Sequence, residues 1–452
     1  MVFSSVIFMF MFLPLFLLCY FMAKKIRTKN LVLLLFSLAF YAWGEPYYFF
    51  LMLFMIIINY FLTLKMAKND SKFIFILLIV INLLSLFSFK YLNFFIDNIY
   101  NIFNLSINNI HLSLPIGISF YTFQILSYVI DVKKGKCEPQ RNFLNLACYI
   151  SAFPQLIAGP IVRYVDIEKE LVDRKTTFDG FTSGVRRFII GLAKKLIIAN
   201  NVAFICDAIL TSGIKEAGFI GILIATIAYS LQIYFDFSGY SDMAIGLGKM
   251  CGFNYNENFN NPYMAYSVTD FWRRWHISLS SFFRDYVYIP LGGNRCSTAK
   301  IVRNILIVWT LTGLWHGDSW NFVIWGLYYG IILLLEKFVF KNSDKNTWYN
   351  HIKTLIIVAL GWLIFRQTNF NDLITSVKAL FGGYGFGSIS HLYYLGIFSM
   401  RYIIAFVAGI IFSLNIKMKD GTLKDSLLLI LFIISIIFIV VNSYNPFIYF
   451  RF

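Results

Sequence analysis

The sequence predicts an all-α, polytopic membrane protein, and three observations carry the prediction. Of its 452 residues, 59% are hydrophobic and 19% aromatic, yet only 14% are charged; the mean hydropathy is +0.69, whereas soluble domains are about a quarter charged. Apolar runs of about 18 residues or more, long enough to cross a bilayer, recur from one end of the chain to the other. Basic residues gather between those runs, where the positive-inside rule places them in cytoplasmic loops. The net charge of +16, from 39 basic and 23 acidic residues, therefore marks topology. No basic patch interleaved with stacking aromatics points to nucleic acid. Cys19, Cys137, Cys148, Cys206, Cys251 and Cys296 are scattered, with no C-x-x-C pair and no Cys/His cluster, so neither a disulfide framework nor a metal site is expected.

The elements follow in order. The run from Val6 to Met22 lacks a basic n-region and a small-residue cleavage site, so it reads as a retained span and not as a signal peptide. Lys24, Lys25, Arg27 and Lys29 after it set that loop inside and the N-terminus extracytoplasmic. Spans at 30–43, 48–64, 73–89 and 115–130 keep the alternation: Lys65, Lys68 and Lys72 fall inside, as do Lys133, Lys134, Lys136 and Arg141. The 44–47 turn carries no base, and Lys90–Leu114 reads as a loop with one.

The apolar run 143–162 is broken by Pro154, Gly159 and Pro160. It is expected to enter the membrane and return, which non-helical backbone does only when buried in protein or lining a wet chamber. Spans at 185–209 and 217–236 precede a stretch, Asn254–Lys300, too polar to span and too aromatic for a free loop. It is expected at the cytoplasmic interface. Runs at 301–315, 319–337, 353–366, 395–414 and 426–442 complete the body, with the basic clusters Lys337–Lys353 and Lys417–Lys424 inside and the C-terminus extracytoplasmic. The total is about eleven or twelve spans in a multi-pass protein of the cell membrane. No linker, repeat or soluble segment divides it, so residues 1–452 read as one membrane-embedded domain.

Polar interruptions of this apolar body are the candidate chemistry. His316, in Trp315-His316-Gly317-Asp318 between two apolar runs, is an ionisable residue where one is expensive and hence a functional candidate. A neutral imidazole accepts a proton near pH 7, and the adjacent glycine admits a substrate or another backbone; a histidine hydrogen-bonded between helices for packing is the competing reading. His276 lies in Phe271-Trp272-Arg273-Arg274-Trp275-His276, which continues through Arg284, Asp285 and Tyr286 to Pro290-Leu291-Gly292-Gly293-Asn294-Arg295. One reading is an interfacial helix with tryptophans at headgroup level. The other has Arg273 and Arg274 holding phosphates of a cytoplasmic donor, as guanidinium forks do, while His276 orients it. Asp236 and Asp242 in Tyr234–Asp242 make a weak metal-ligand pair, and a structural role bonded to Tyr, Ser or a buried Arg is preferred. Tyr121, Gln124 and Tyr128 recur at helical spacing, either as a polar stripe facing the interior or as packing.

Together these segments resemble the membrane-bound O-acyltransferase superfamily, in its bacterial branch that O-acetylates alginate, peptidoglycan and other cell-surface polymers. The resemblance covers nearly the whole chain: Val2–Ser5, Trp43–Pro46, Pro115–Tyr121, Phe153–Ile161, Tyr234–Asp242, Phe271–Arg295 and Gly313–Gly317, in that order. It implies a ring of tilted helices around a central tunnel, with Asp236, Asp242, Tyr121 and Gln124 along it. It also implies that His316 matches the essential family histidine and His276 the second, more variable one. The D-alanyl-transferring branch has a similar tryptophan-histidine block but usually lacks Pro290–Arg295, which favours acetyl transfer. The ending Asn445–Phe452 looks like an aromatic C-terminal motif in which a tyrosine, here Tyr449, relays the acyl group; an interfacial aromatic belt is the plainer alternative.

The expectation is an O-acyltransferase. An acyl thioester, acetyl-CoA above all, docks at Trp272, Arg273 and Arg274, and His316 acts as general base, with no cofactor beyond that donor. The acceptor hydroxyl belongs to Tyr449, to an extracytoplasmic acetyltransferase partner or to a carrier, with cell-surface polysaccharide downstream. A transporter or channel using the same tunnel is the alternative.

Overall fold

The computed structural model describes residues 1–103, 112–157, 159–340, 346–367, 369–416, 419, 421–441 and 446, and its regular elements there are all helical. They group into two compact units, Met1–Phe188 with Ser241–Asn256, and Ile189–Tyr240 with the chain from Glu257 onward.

The first unit opens with a π-helical turn, Phe8–Phe12, running into α1 (Leu13–Met22), followed by α2 (Ile26–Gly44), α3 (Tyr48–Asn69), α4 (Lys72–Lys90), α5 (Leu92–Phe103) and α6 (Ile118–Lys133). Local chemistry sets the boundaries. Asp70 ends α3 in the left-handed conformation, and Ser71 caps α4 by accepting the Ile74 N–H at 3.3 Å. Gly117 begins α6 at φ +77°, where a Cβ would lie 2.6 Å from the Leu156 carbonyl oxygen; glycine is required there.

The run expected to break does so: α7 (Phe143–Ser151) stops at Ala152 and α8 (Phe153–Leu156) restarts with Pro154 in its first turn, both helices mostly buried. Phe153 is enclosed by Phe3, Phe8, Phe12, Phe16 and Phe40, with ring centroids 5.0–6.3 Å away. The freed backbone is satisfied inside, since the Phe153 N–H donates to Ser37 Oγ at 3.0 Å. Then come α9 (Tyr164–Val172) and α10 (Phe178–Ala193).

Beyond a second π-helical stretch, Lys194–Ala199, lie α11 (Asn200–Ser212) and α12 (Ile214–Met250), the latter broken near its start at Gly218 (φ +56°). In place of a continuous interfacial helix, Asn254–Lys300 holds two seven-residue helices, α13 (Val268–Arg274) and α14 (Ile277–Phe283), and a π turn, Arg284–Tyr288. The remainder is α15 (Thr298–His316), α16 (Trp320–Phe338), α17 (Trp348–Arg366), α18 (Phe370–Leu380), α19 (Ile389–Tyr394), α20 (Met400–Ser413) and α21 (Thr422–Val441).

Among the described residues, seven helices are long and apolar enough to cross a membrane, and Phe8–Met22 and Met400–Ser413 are shorter apolar ones. α2, α6 and α15 also form where spans were expected, but they are short or carry polar residues such as Lys29, Asn30, Lys300 and Arg303. Large apolar side chains on α21, among them Leu429, Ile433, Ile437 and Val440, are exposed while Ser435 is buried. That inversion is what a lipid solvent produces. The chain is a multi-pass, all-α membrane protein.

Candidate active site

The second unit fixes His316 through glycine. α15 and α16 approach so closely that a Cβ on Gly313 would lie 2.2 Å from the Phe322 carbonyl oxygen, and one on Gly326 2.2 Å from that of Trp309. Small residues at such a crossing are how membrane helices gain contact. Gly317, which ends α15, has no room either, because its Cβ would stand 2.1 Å from the Phe322 ring. His316, the last residue of α15, is thereby buried and boxed by Trp315, Trp325 and Phe365, with ring centroids 5.0, 5.1 and 5.1 Å away and all three edge-on.

His276 is held from another direction. It sits between α13 and α14 at φ +44°, ψ +55°, a left-handed conformation that costs a non-glycine residue on the order of 1 kcal/mol. Its ring lies 4.6 Å from that of Phe237 and 5.6 Å from that of Trp315. Nδ1 is 3.2 Å from Asn258 Oδ1. Burial disfavours the imidazolium and pushes the His276 pKa down to about 3. Trp315 therefore neighbours both histidine rings.

Glu336 of α16 sets the position of α13. Its carboxylate accepts the N–H groups of Val268 and Thr269 and the Thr269 hydroxyl, each at 2.8 Å, and so caps the N-terminus of α13 where negative charge is favoured. Ser267 caps the same helix through the Asp270 N–H at 3.0 Å. The turns that follow are tied by Asn294 Oδ1, which accepts from Tyr288 Oη at 2.7 Å and Lys337 Nζ at 2.6 Å. Between these elements lies a cavity of about 560 Å³ whose wall includes Trp272, Arg273, His276, Arg284, Thr312 and Lys337. Thr312 is one turn before His316 on α15.

The expected site residues thus divide. His276, Trp272 and Arg273 share the cavity wall. Arg274 is bound through Nε to both carboxylate oxygens of Asp270, at 2.9 and 3.0 Å. The reading of the tryptophans as headgroup anchors is corrected: Trp272 and Trp275 are 7% and 2% exposed. Trp272 packs on Trp309, Tyr329 and Trp325 at 4.8, 4.9 and 5.6 Å, because α13 is capped onto α16 with its aromatic side inward. Asp236 belongs to this unit and forms a fully buried ion pair with Lys195 at 2.6 Å, one residue before Phe237.

Tyr121, Gln124 and Asp242 belong to the first unit. Tyr121 and Gln124 are fully buried on α6, and Asp242 accepts from Arg187 at 2.8 and 3.0 Å. Tyr449 lies outside the described residues. Asn258, Glu336, Phe237, Trp325 and Phe365 are the site residues that sequence reasoning missed. For Glu336 a signal was present, a carboxylate inside the apolar run 319–337.

Residues 139–365, which contain every element of the cavity wall, match the MBOAT, membrane-bound O-acyltransferase family. The probable alginate O-acetylase AlgI of Pseudomonas putida is 37% identical, over 100% of this chain and 100% of its own length. The chain belongs to the membrane-bound O-acyltransferase family. The peptidoglycan O-acetyltransferase of Helicobacter pylori is 36% identical, with 87% of this chain and 82% of that protein covered. The teichoic acid D-alanyltransferase of Bacillus subtilis is 30% identical over 57% of this chain and 69% of its own. This membrane-bound O-acyltransferase is therefore an enzyme, and the polar interruptions that marked His276 and His316 fall inside the family's shared segment.

Proposed function

We propose that this O-acyltransferase takes an acetyl group from a cytoplasmic thioester, acetyl-CoA, and passes it to an extracytoplasmic hydroxyl for O-acetylation of a cell-surface polysaccharide, with His316 as general base. The observation that carries this reading is one tryptophan, Trp315, touched by two buried histidine rings beside a cavity bordered by Arg273, Arg284 and Lys337. Arginine forks suit the phosphates of a nucleotide-bearing thiol, and the apolar casing of His316 excludes the water that would otherwise hydrolyse the thioester.

In the proposed step His316 takes the proton of the acceptor hydroxyl as the oxygen attacks the thioester carbonyl. The C–S bond breaks, the proton passes from the imidazolium to the departing thiolate, and an ester and a free thiol result. The hydroxyl belongs to Tyr449 or to an extracytoplasmic acetyltransferase partner that delivers the group to the polymer. The names of the relatives, an alginate O-acetylase and a peptidoglycan O-acetyltransferase, support acetyl as the group and a surface polymer as the destination.

Purified protein given radiolabelled acetyl-CoA is expected to release free CoA or to become labelled. A transporter would do neither, and that outcome overturns the reading. With Tyr449→Phe, mass spectrometry of the polymer separates the acceptors: loss of polymer acetylation while the donor is still consumed supports a relay at Tyr449, and unchanged acetylation assigns the hydroxyl to the partner.

A further inference from the structure

Asn258 grips the backbone around His276 with both of its oxygens. Its carbonyl oxygen accepts the Ile277 N–H at 3.0 Å. Its side-chain Oδ1 accepts the Ser278 N–H at 3.2 Å and the Ser278 hydroxyl at 2.9 Å, and lies 3.2 Å from His276 Nδ1. These contacts settle which atom of the amide faces the ring. A backbone N–H can only donate, so the Asn258 atom that meets Ser278 is the oxygen and not the amino group.

An amide oxygen can only accept, and His276 Nδ1 must therefore carry the hydrogen. The Ser278 hydroxyl does not compete, since it is 3.4 Å from Nδ1 but 2.9 Å from Asn258 Oδ1. In a neutral imidazole with Nδ1 protonated, Nε2 is a bare acceptor. Nε2 of His276 is buried and meets no hydrogen-bond partner among the described residues, and the residue stands in the cavity wall. A buried acceptor without a partner is costly; an arriving donor group would complete it.

We propose, resting on the thioester reading above, that Asn258 is a positioning residue. It locks His276 as the Nδ1–H tautomer, so that Nε2 is a standing hydrogen-bond acceptor for an amide N–H of the arm that carries the donor's thioester. The two histidines then divide the work, with His276 holding the arm and His316 moving the proton. Two features support a ring built to stay neutral: its burial, which disfavours the imidazolium, and the left-handed backbone that Asn258 secures by accepting two successive N–H groups.

The test is ¹⁵N NMR of the full-length protein labelled at histidine, with the His276 signals assigned by their loss in His276→Gln, together with equilibrium binding of CoA. The expected spectrum has a protonated, pyrrole-type Nδ1 and an unprotonated, pyridine-type Nε2. Asn258→Ala is expected to lose that tautomer preference and to weaken CoA binding about tenfold, the loss of one hydrogen bond. Asn258→Asp keeps an acceptor at the same place and is expected to restore the Nδ1–H tautomer. An Nε2–H tautomer in the wild type, or an Asn258→Ala protein with unchanged tautomer and CoA affinity, overturns the proposal. A wild type that shows the Nδ1–H tautomer but binds no CoA overturns the donor assignment, and with it the role of Nε2, while Asn258's hold on the ring stands.

Discussion

The buried polar cluster around Arg174 in the first unit and the histidine site of the second answer the same difficulty in opposite ways. Arg174 donates from Nε to Tyr20 Oη and the Cys251 carbonyl, each at 3.0 Å, and from Nη1 to Asn30 Oδ1 at 2.6 Å and the Glu170 carbonyl at 3.1 Å. Its guanidinium lies 4.2 Å over the Phe253 ring. Asn30 in turn donates to Asn145 and to the Leu171 carbonyl at 2.9 and 2.8 Å. One side chain so joins α1, α2, α9 and the end of α12. Around His276 and His316 the neighbours are mostly rings, and the polar partner given to His276 orients it. Polar groups that crosslink helices hold a fold together, whereas histidines set among aromatic rings near a cavity are placed for chemistry.

That contrast is broken or sharpened by substitution. His316→Ala is expected to cut acetyl-CoA consumption by about 10²–10⁴-fold, the worth of a positioned base, with unchanged helix content by circular dichroism. Retained turnover would move His316 to the structural side. Arg174→Met should do the reverse. It takes the donor from Asn30 Oδ1 and one of two donors from the Cys251 carbonyl, which Tyr20 Oη still reaches at 2.6 Å, and is expected to cost about 3 kcal/mol of stability, seen as a lower thermal midpoint in detergent with near-normal turnover per folded molecule.

Smaller effects separate neighbours within the site. Arg273→Ala, in the cavity wall, is expected to raise KM for acetyl-CoA about tenfold. Arg274→Ala, whose guanidinium is already bound to Asp270, should raise it less. Equal effects would mean that both arginines reach the donor. The mildest effect is on pH. Because burial lowers the His276 pKa from 6.5 to about 3, the unfolded chain binds the extra proton between those values. The stability of the neutral folded form is therefore complete above about pH 6.5 and declines as the pH falls toward 3. Thermal midpoints measured from pH 7 to pH 4 should fall, and fall less in His276→Gln.

Much of this molecule was legible in its sequence because lipid imposes long apolar helices, and the runs around 48–64, 73–89 and 426–442 needed only counting. The break in 143–162 was legible through Pro154. α5 was not, because its twelve residues are too few to cross a bilayer and Asn93, Asp97 and Asn98 stand among its apolar residues. His316 stood out as an ionisable residue between apolar runs, and His276 through the tryptophan–arginine block that contains it. Asn258 did not, because its meaning lies in contacts with residues 18 to 20 positions away, and one asparagine among the five of Asn254–Asn261 carries no such signal.

The central claim, that an acetyl group leaves a cytoplasmic thioester and arrives on the other side through His316, is tested most directly in sealed inside-out vesicles. Acetyl-labelled CoA is supplied outside, and an acceptor partner is enclosed in the lumen. Label on the luminal acceptor with wild-type protein, free CoA remaining outside, and neither with His316→Ala is the predicted result. Luminal label that persists in His316→Ala would contradict the account.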